Sequence, residues 1–332
     1  MIEVPPFWCP LPIAIHPAAD QAEKDARAWA ERYGVRLRIA DQVQPGRLGA
    51  YWAPHGTYEG MLAVGCWNFW AFAFDDHLDE PLPLDVPVTT SLVQQAVDIP
   101  SPPITDDPWA AGAQAVFNMF RDLATPTQVR YCADNHRRWL HGACWRHSNH
   151  VNRRLPPLAE YIPLRMQDAA AQATCLIAVL IGSDISVPEQ EMDSPRVRAL
   201  LETASWTATI DSDLHSFQLE DTQRPVSQHI VSVLMHERGI GVDEALRQSV
   251  ALRDRFMTRF LHLQQECART GSSELARFAH TLGYVISGYL QWAVDTSRYG
   301  QTEATFSFTD TPRDDTPEPP PGIPSVEWLW TL

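Results

Sequence analysis

The stretch "FAFDDHLDE" ends an apolar run with Asp75, Asp76, Asp79 and Glu80. On a helix, Asp75 and Asp79 place their carboxylates on one face, a single turn apart. Like charges at that spacing repel unless a cation stands between them. Oxygen ligands that leave coordination positions open suit Mg²⁺ shared with a phosphate-bearing substrate. A solvated acidic helix end would have the same composition, although acids near a helix C-terminus oppose the macrodipole. The same face carries Phe72, Asn68 and Gly65 earlier in the run, which sets an aromatic ring a turn below the acids.

A second polar stretch, "DSDLHSFQLED" at residues 211–221, interrupts what otherwise reads as a buried helix. A metal site there needs oxygen donors at helical spacing. The register Asp211, His215, Leu219 fails at its third position, and Asp213, Phe217, Asp221 fails at its second. Ser212, Ser216 and Glu220 supply hydroxyl, hydroxyl and carboxylate on one stripe. Two arginines sit in apolar surroundings: Arg165 in "YIPLRMQDAA", with Asp168 three residues on, and Arg298 in "WAVDTSRYG", followed by Tyr299. A guanidinium offers a fork of donors matched to phosphate oxygens.

Helices must position these groups. Apolar residues recur at three- and four-residue spacing in "YEGMLAVGCWNFWAFAF", "AAGAQAVFNMFRDLA", "LAEYIPLRMQDAAAQATCLIAVLIG", "RVRALLETASWTATI", "VDEALRQSVALRDRFMTRFLHLQQE" and "LARFAHTLGYVISGYLQWAVDTSRYG". Alternating strand patterns with tight-turn signals do not occur. The 332 residues read as one all-α bundle of about ten helices, residues 1–308, followed by a Pro- and acid-rich tail, 309–332. That tail is expected to be mobile, to dock through Trp328, Leu329 and Trp330, and to be able to act as a lid. Lys+Arg 26 against Asp+Glu 41 gives −15, which argues against nucleic acid or an anionic membrane surface as the partner. Six scattered cysteines and a start without a secretory pattern suggest reduced thiols in a cytoplasmic protein. The longest apolar run, "ATCLIAVLIG", is too short to span a membrane.

Taken together these elements resemble the bacterial class I terpene synthases, the terpene cyclases, over nearly the whole chain. "DDHLD" looks like the family's aspartate-rich D-D-x-x-D motif. "SDLHSFQLE" looks like its N-D-x-x-S-x-x-x-E metal triad, with Ser212 in place of the usual asparagine. Arg165, 47 residues before Ser212 (212 − 165), matches the pyrophosphate-sensing arginine; Asp168 then matches the linker residue, and Ala169 stands at the effector position, often a glycine. "SRYG" is similar to the C-terminal Arg-Tyr pair. Leu219 occupies a place where relatives often carry a diphosphate-contacting lysine, and Arg224 is a candidate to replace that charge.

The resemblance implies a class I terpenoid synthase-like bundle with a central active-site cavity. It further implies three Mg²⁺ ions, two on the aspartate-rich motif through Asp75 and Asp79 and one on Ser212, Ser216 and Glu220. Arg165, Arg298 and Tyr299 would bind the diphosphate of a prenyl substrate as it leaves, and Asp168 and Ala169 would couple that event to catalysis. Phe72, Trp292, Phe69 and Trp206 are the expected aromatic lining, because aromatic faces stabilise a cation without attacking it. By family frequency the substrate is farnesyl diphosphate and the product a sesquiterpene hydrocarbon or alcohol, with geranylgeranyl or geranyl diphosphate as alternatives. A chain-elongating prenyltransferase would need a second D-D-x-x-D, which the sequence lacks. A non-catalytic prenyl-diphosphate-binding homologue is the remaining alternative, supported by Ser212 and Leu219. The protein is expected as a monomer or homodimer.

Overall fold

The computed structural model describes residues 4–79, 84–100, 106–223, 228–299 and 307–332, with the backbone alone for 218–223. Its helices, in chain order, are α1 (Ala19–Arg32), α2 (Ala40–Val43), α3 (Pro45–Trp52), α4 (Tyr58–Leu78), α5 (Val86–Asp98), α6 (Pro108–Leu123), α7 (Pro126–Val151) and α8 (Leu158–Asp168). There follow α9 (Ala171–Leu176), α10 (Glu189–Met192), α11 (Pro195–Gln223), α12 (Ile230–Arg238), α13 (Val242–Thr270), α14 (Ser273–Asp295) and α15 (Pro324–Glu327). A π-helical turn, Ile177–Gly182, continues α9, and a 3₁₀ turn, Trp328–Trp330, follows α15.

Cap residues set the helix starts. Thr57 opens α4 by accepting from the Gly60 N–H at 3.1 Å, and Asp107 opens α6 by accepting from that of Ala110 at 2.9 Å. Thr125 and Gln128 form a capping box on α7, with Pro126 at the first helical position, where its missing N–H costs nothing. The all-α bundle expected from the periodicity is therefore present, with two differences of detail. The segment 158–182 is not continuous: it breaks after Asp168, and Ala170 is left-handed at φ 54°. The apolar pattern did not reveal α7, because this helix carries Arg130, Arg137, Arg138, Arg146 and four histidines among its 26 residues. The described residues also contain one small parallel pairing, β1 (Phe7–Trp8) with β2 (Phe308–Thr309), in the register Phe7↔Phe308. No single described helix is long and apolar enough to cross a membrane.

Close backbone approach, bought with glycine, fixes the spacing around the site. A Cβ at Gly49 on α3 would meet the backbone N of Gly65 on α4 at 2.9 Å. A Cβ at Gly142 on α7 would meet the backbone N of Asp168, at the end of α8, at 2.5 Å. Only a residue without a side chain lets these pairs touch.

Buried polar groups then lock the register of α11. Asp211 is fully buried and receives the Arg253 guanidinium, Nε to Oδ1 at 2.8 Å and Nη2 to Oδ2 at 3.3 Å. Arg253 also donates to the Trp8 carbonyl, which ties the β1 segment to α11 and α13. Asp213, equally buried, accepts from the Tyr161 hydroxyl, from Arg165 Nε at 2.9 Å and from the Ile230 N–H at 2.9 Å. The tail is pinned to α13: Arg259 donates to the Leu329 carbonyl at 2.6 Å and to the Leu332 oxygen at 2.7 Å, and Leu329 is buried.

One buried histidine has a thermodynamic consequence. His136 sits among Trp70, Trp139 and Phe117, with Nδ1 3.1 Å from Gln94 Oε1. Burial, and then the neighbouring Arg137, drive its pKa down to about 3. The folded protein thus keeps this imidazole neutral while the unfolded chain protonates it near pH 6.5, so stability is lost as the pH falls from 6.5 toward 3. From this group alone we expect a loss of about 2 kcal/mol between pH 7 and pH 5. His136→Gln should show a shallower pH dependence by that amount in urea denaturation. In the same assay, Asp213→Ala should cost ~1–3 kcal/mol because it leaves the buried Tyr161 hydroxyl and Ile230 N–H without their acceptor, whereas Ser212→Ala should cost under ~1 kcal/mol.

Candidate active site

Helices α3, α4, α7, α8, α9, α11 and α14 enclose one cavity of about 690 Å³. Its polar end is built from Asp75, Asp76 and Asp79 on α4, Arg146 on α7, Arg165 and Asp168 on α8, Ser212, Asp213 and Ser216 on α11, and Arg298 and Tyr299 beyond α14. Its apolar end is lined by Leu48, Trp52, Trp67, Ala71, Trp139, Ala208 and Val285. The structure thus brings together Asp75, Asp79, Arg165, Asp168, Ala169, Ser212, Ser216, Arg298, Tyr299 and Phe72 around a single space. Arg224 and the Glu220 side chain lie outside the described residues.

The cation between the aspartates is an arginine absent from the sequence analysis. Arg146 donates from Nη2 to Asp75 Oδ1 at 2.8 Å, from Nη1 to Asp79 Oδ1, and from Nε to Asp168 Oδ1 at 2.7 Å. The second oxygen of Asp168 accepts from Arg165 Nη1 at 3.1 Å. Withdrawal from bulk water pushes the Asp75 carboxyl up to about 6; Arg146 opposes the shift, while Asp79, Asp168 and Asp76 add repulsion. Burial works against the charge on Arg146, but Asp168, Asp75 and Asp79 together outweigh it and hold that guanidinium protonated. A sign of Arg146 was available: it lies seven residues past Trp139 on one face of α7, but a helix so rich in arginine and histidine offers no periodic apolar stripe to read.

The break between α8 and α9 serves the same end of the cavity. The turn Ala169–Ala170–Ala171 lines the wall directly, and the left-handed alanine at 170 stores strain of the order of 1–3 kcal/mol where the chain turns inward. One turn before the aspartates on α4, Phe72 carries Arg298 over its ring at 4.4 Å, and the Arg298 Nε and Nη1 are buried without a hydrogen-bond partner among the described residues. Burial lowers its affinity for the proton, but Tyr299, Asp76 and Tyr289 restore and exceed it. Tyr289 also faces the cavity, with its hydroxyl 2.5 Å from that of Tyr299.

The aromatic lining differs from the expectation. Trp292 stands behind Phe72, stacked at 5.8 Å, and its indole N–H is used on the Val43 carbonyl at 2.7 Å. Trp206 is packed against Phe256 in the core, and Phe69 is buried on a flank of α4; neither lines the cavity. The correction has a geometric cause. Residues 68, 71, 72 and 75 define the cavity face of α4 and 208, 209, 212 and 216 that of α11, so positions 69 and 206 point elsewhere. Trp52, Trp67 and Trp139 take their place, with Trp67 and Trp139 edge to face at 6.0 Å.

The donor set suits a hard divalent cation bridging to a bound anion: carboxylates at Asp75 and Asp79, hydroxyls at Ser212 and Ser216, and the guanidinium Nε and Nη1 of Arg298 at the same end. Among the described residues no three carboxylate, imidazole or thiol groups form a metal cage.

A family model described as terpene synthase family 2, C-terminal metal binding, matches residues 66–259. Spiroviolene synthase of Streptomyces violens is 31% identical over 99% of this chain and 97% of its own. Phomopsene synthase of Allokutzneria albata is 32% identical over the same shares, 99% and 97%. The crystal structure of the SVS_A2 protein, from ancestral sequence reconstruction, superposes with a TM-score of 0.89 at 33% identity, covering 99% of each chain. With the family's metal-binding region spanning the cavity and relatives aligned end to end, this chain belongs to the bacterial class I terpene synthases and is an enzyme with the all-α terpenoid synthase fold.

Proposed function

We propose that the enzyme ionises a linear prenyl diphosphate with the help of Mg²⁺ and cyclises the resulting allylic cation to a hydrocarbon or alcohol, releasing diphosphate. The observation that carries this reading is the pairing, at the polar end of one cavity, of an aspartate pair with a buried arginine whose Nε and Nη1 have no partner among the described residues. Such a site binds an anion at one end and encloses an apolar chain at the other.

Bound on Asp75 and Asp79, and on Ser212, Ser216 and Glu220, three Mg²⁺ ions would neutralise the diphosphate and favour its departure. Arg298 and Tyr299 donate to the oxygens as their charge grows, and Arg165 reaches them from the α8 side. Asp168, held between Arg146 and Arg165, orients Arg165 against the turn at Ala169. Arg224 is kept as a further diphosphate contact. The apolar end excludes water and presents Trp52, Trp67 and Trp139 to a migrating cation. Phe72, under Arg298 and against Trp292, is a platform for that guanidinium as much as a wall. For the tail after residue 308 we favour bracing over covering, because Arg259 pins it to α13 and no described residue from 307 to 332 lines the cavity. A cytoplasmic monomer or homodimer fits this reading.

Farnesyl diphosphate is the expected substrate. A relative from Streptosporangium roseum, 4-epi-cubebol synthase, is named for farnesyl diphosphate and is 23% identical over 90% of this chain. Geranylgeranyl diphosphate is the second reading, favoured by a Streptomyces diterpene cyclase that aligns with 99% of the chain at 24% identity. Incubation with Mg²⁺ and geranyl, farnesyl or geranylgeranyl diphosphate, followed by analysis of volatile products, decides between them; no product above the no-enzyme control from any of the three sinks the cyclase reading. Asp75→Ala should abolish turnover with the circular dichroism spectrum unchanged. Ser212→Asn, which lengthens the ligand arm, should keep or raise activity at low Mg²⁺, and complete loss would show that the register on α11 is wrong.

A further inference from the structure

Arg146 carries an inference that rests on this reading but goes beyond it. Every nitrogen of its guanidinium is committed to a different carboxylate: Nη2 to Asp75, Nη1 to Asp79 and Nε to Asp168. It therefore fills the position between Asp75 and Asp79 that a divalent ion needs. A purely structural bridge in this protein looks different. Arg253 and Asp211 are both sealed from solvent at 0% exposure, whereas the Asp75, Asp79 and Arg146 side chains stay 41%, 26% and 12% open at the cavity.

We propose that Arg146 is the resident counter-cation of the aspartate pair: without ligand it holds Asp75 and Asp79 closed against divalent metal, and it releases them only when metal and diphosphate arrive together. The stem is anchored and the tip is free to leave. Gly142, one turn earlier, fixes α7 against the Asp168 backbone, and the Nε bond to Asp168 acts as a pivot about which the two terminal nitrogens can swing. Asp168 is not stranded by that swing, because Arg165 holds its other oxygen at 3.1 Å. A single positive charge shared over three carboxylates is outbid by a doubly charged ion only when that ion gains further oxygen ligands, which a diphosphate supplies. The consequence is ordered assembly: metal without diphosphate binds poorly, so the acidic motif is not loaded in the absence of substrate.

The test reads metal binding rather than turnover. Mn²⁺ is titrated into wild type, Arg146→Gln and Arg146→Lys, with and without inorganic pyrophosphate, and free Mn²⁺ is followed by electron paramagnetic resonance. Without pyrophosphate, Arg146→Gln should bind Mn²⁺ about ten-fold tighter than wild type or more, the effect of removing one competing charge at contact distance. With pyrophosphate the difference should shrink. Arg146→Lys, whose compact ammonium cannot span three carboxylates, should fall between the two and serves as the comparison if the glutamine variant fails to fold. Equal or weaker Mn²⁺ binding by the folded variants without pyrophosphate overturns the inference. No binding by any of the proteins even with pyrophosphate overturns the metal-dependent reading itself, and this inference with it.

Discussion

Two carboxylates one helical turn apart at the mouth of a low-dielectric cavity cannot both stay ionised without a cation between them. Most of this structure's polar organisation follows from that constraint. The cation in the structure is the Arg146 guanidinium, bonded to Asp75, Asp79 and Asp168. Asp168 in turn shares its second oxygen with Arg165, and Arg165 reaches across to Asp213 on α11. One chain of charge-assisted bonds therefore joins α4, α7, α8 and α11, the helices that carry the acidic motif and the hydroxyl stripe. The glycine contact at Gly142 and the left-handed turn at Ala170 are the backbone conditions for it, since they bring α7 and the α8–α9 break within reach of each other.

Around that chain the fold separates groups that hold the site still from groups left available. Asp211 and Asp213 flank Ser212 on α11, yet both are consumed by structure, one by Arg253 and the other by Tyr161, Arg165 and the Ile230 N–H. The polarity of that helix is thus largely anchorage, and the hydroxyls of Ser212 and Ser216 face the cavity beside Asp213. Arg298 shows the opposite arrangement: it lies over Phe72 with two buried nitrogens unmatched among the described residues, a poor state for a resting guanidinium and a good one for receiving an anion. The aromatic residues divide in the same way. Trp292 and Trp206 spend their faces on Phe72 and Phe256, while Trp52, Trp67 and Trp139 form the wall that an apolar chain would meet.

The cavity-lining polar residues that sit on periodic, apolar helices were legible from sequence. Asp75 and Asp79, Ser212 and Ser216, and Arg165 with Asp168 lie at three- and four-residue intervals, and helical geometry alone places each set on one face. The all-α class followed from the same periodicity. What failed to read was anything lacking an apolar stripe or depending on a neighbour. Arg146 sits on a helix whose pattern is arginine and histidine, and whether Trp67 or Phe69 on α4, or Ala208 or Trp206 on α11, meets the cavity turns on which side of a helix the cavity occupies.

The sequence by itself determined the class of fold, the acidic and hydroxyl motifs and the demand for a cation, because these rest on local spacing within single helices. Only the tertiary structure decided which cation answers that demand, which tryptophans enclose the cavity and which aspartates are spent on anchorage. Those outcomes depend on contacts such as Arg146 to Asp75, 71 positions apart, and Arg253 to Asp211, 42 apart. Such pairings are set by how whole helices pack, a property that no local pattern encodes.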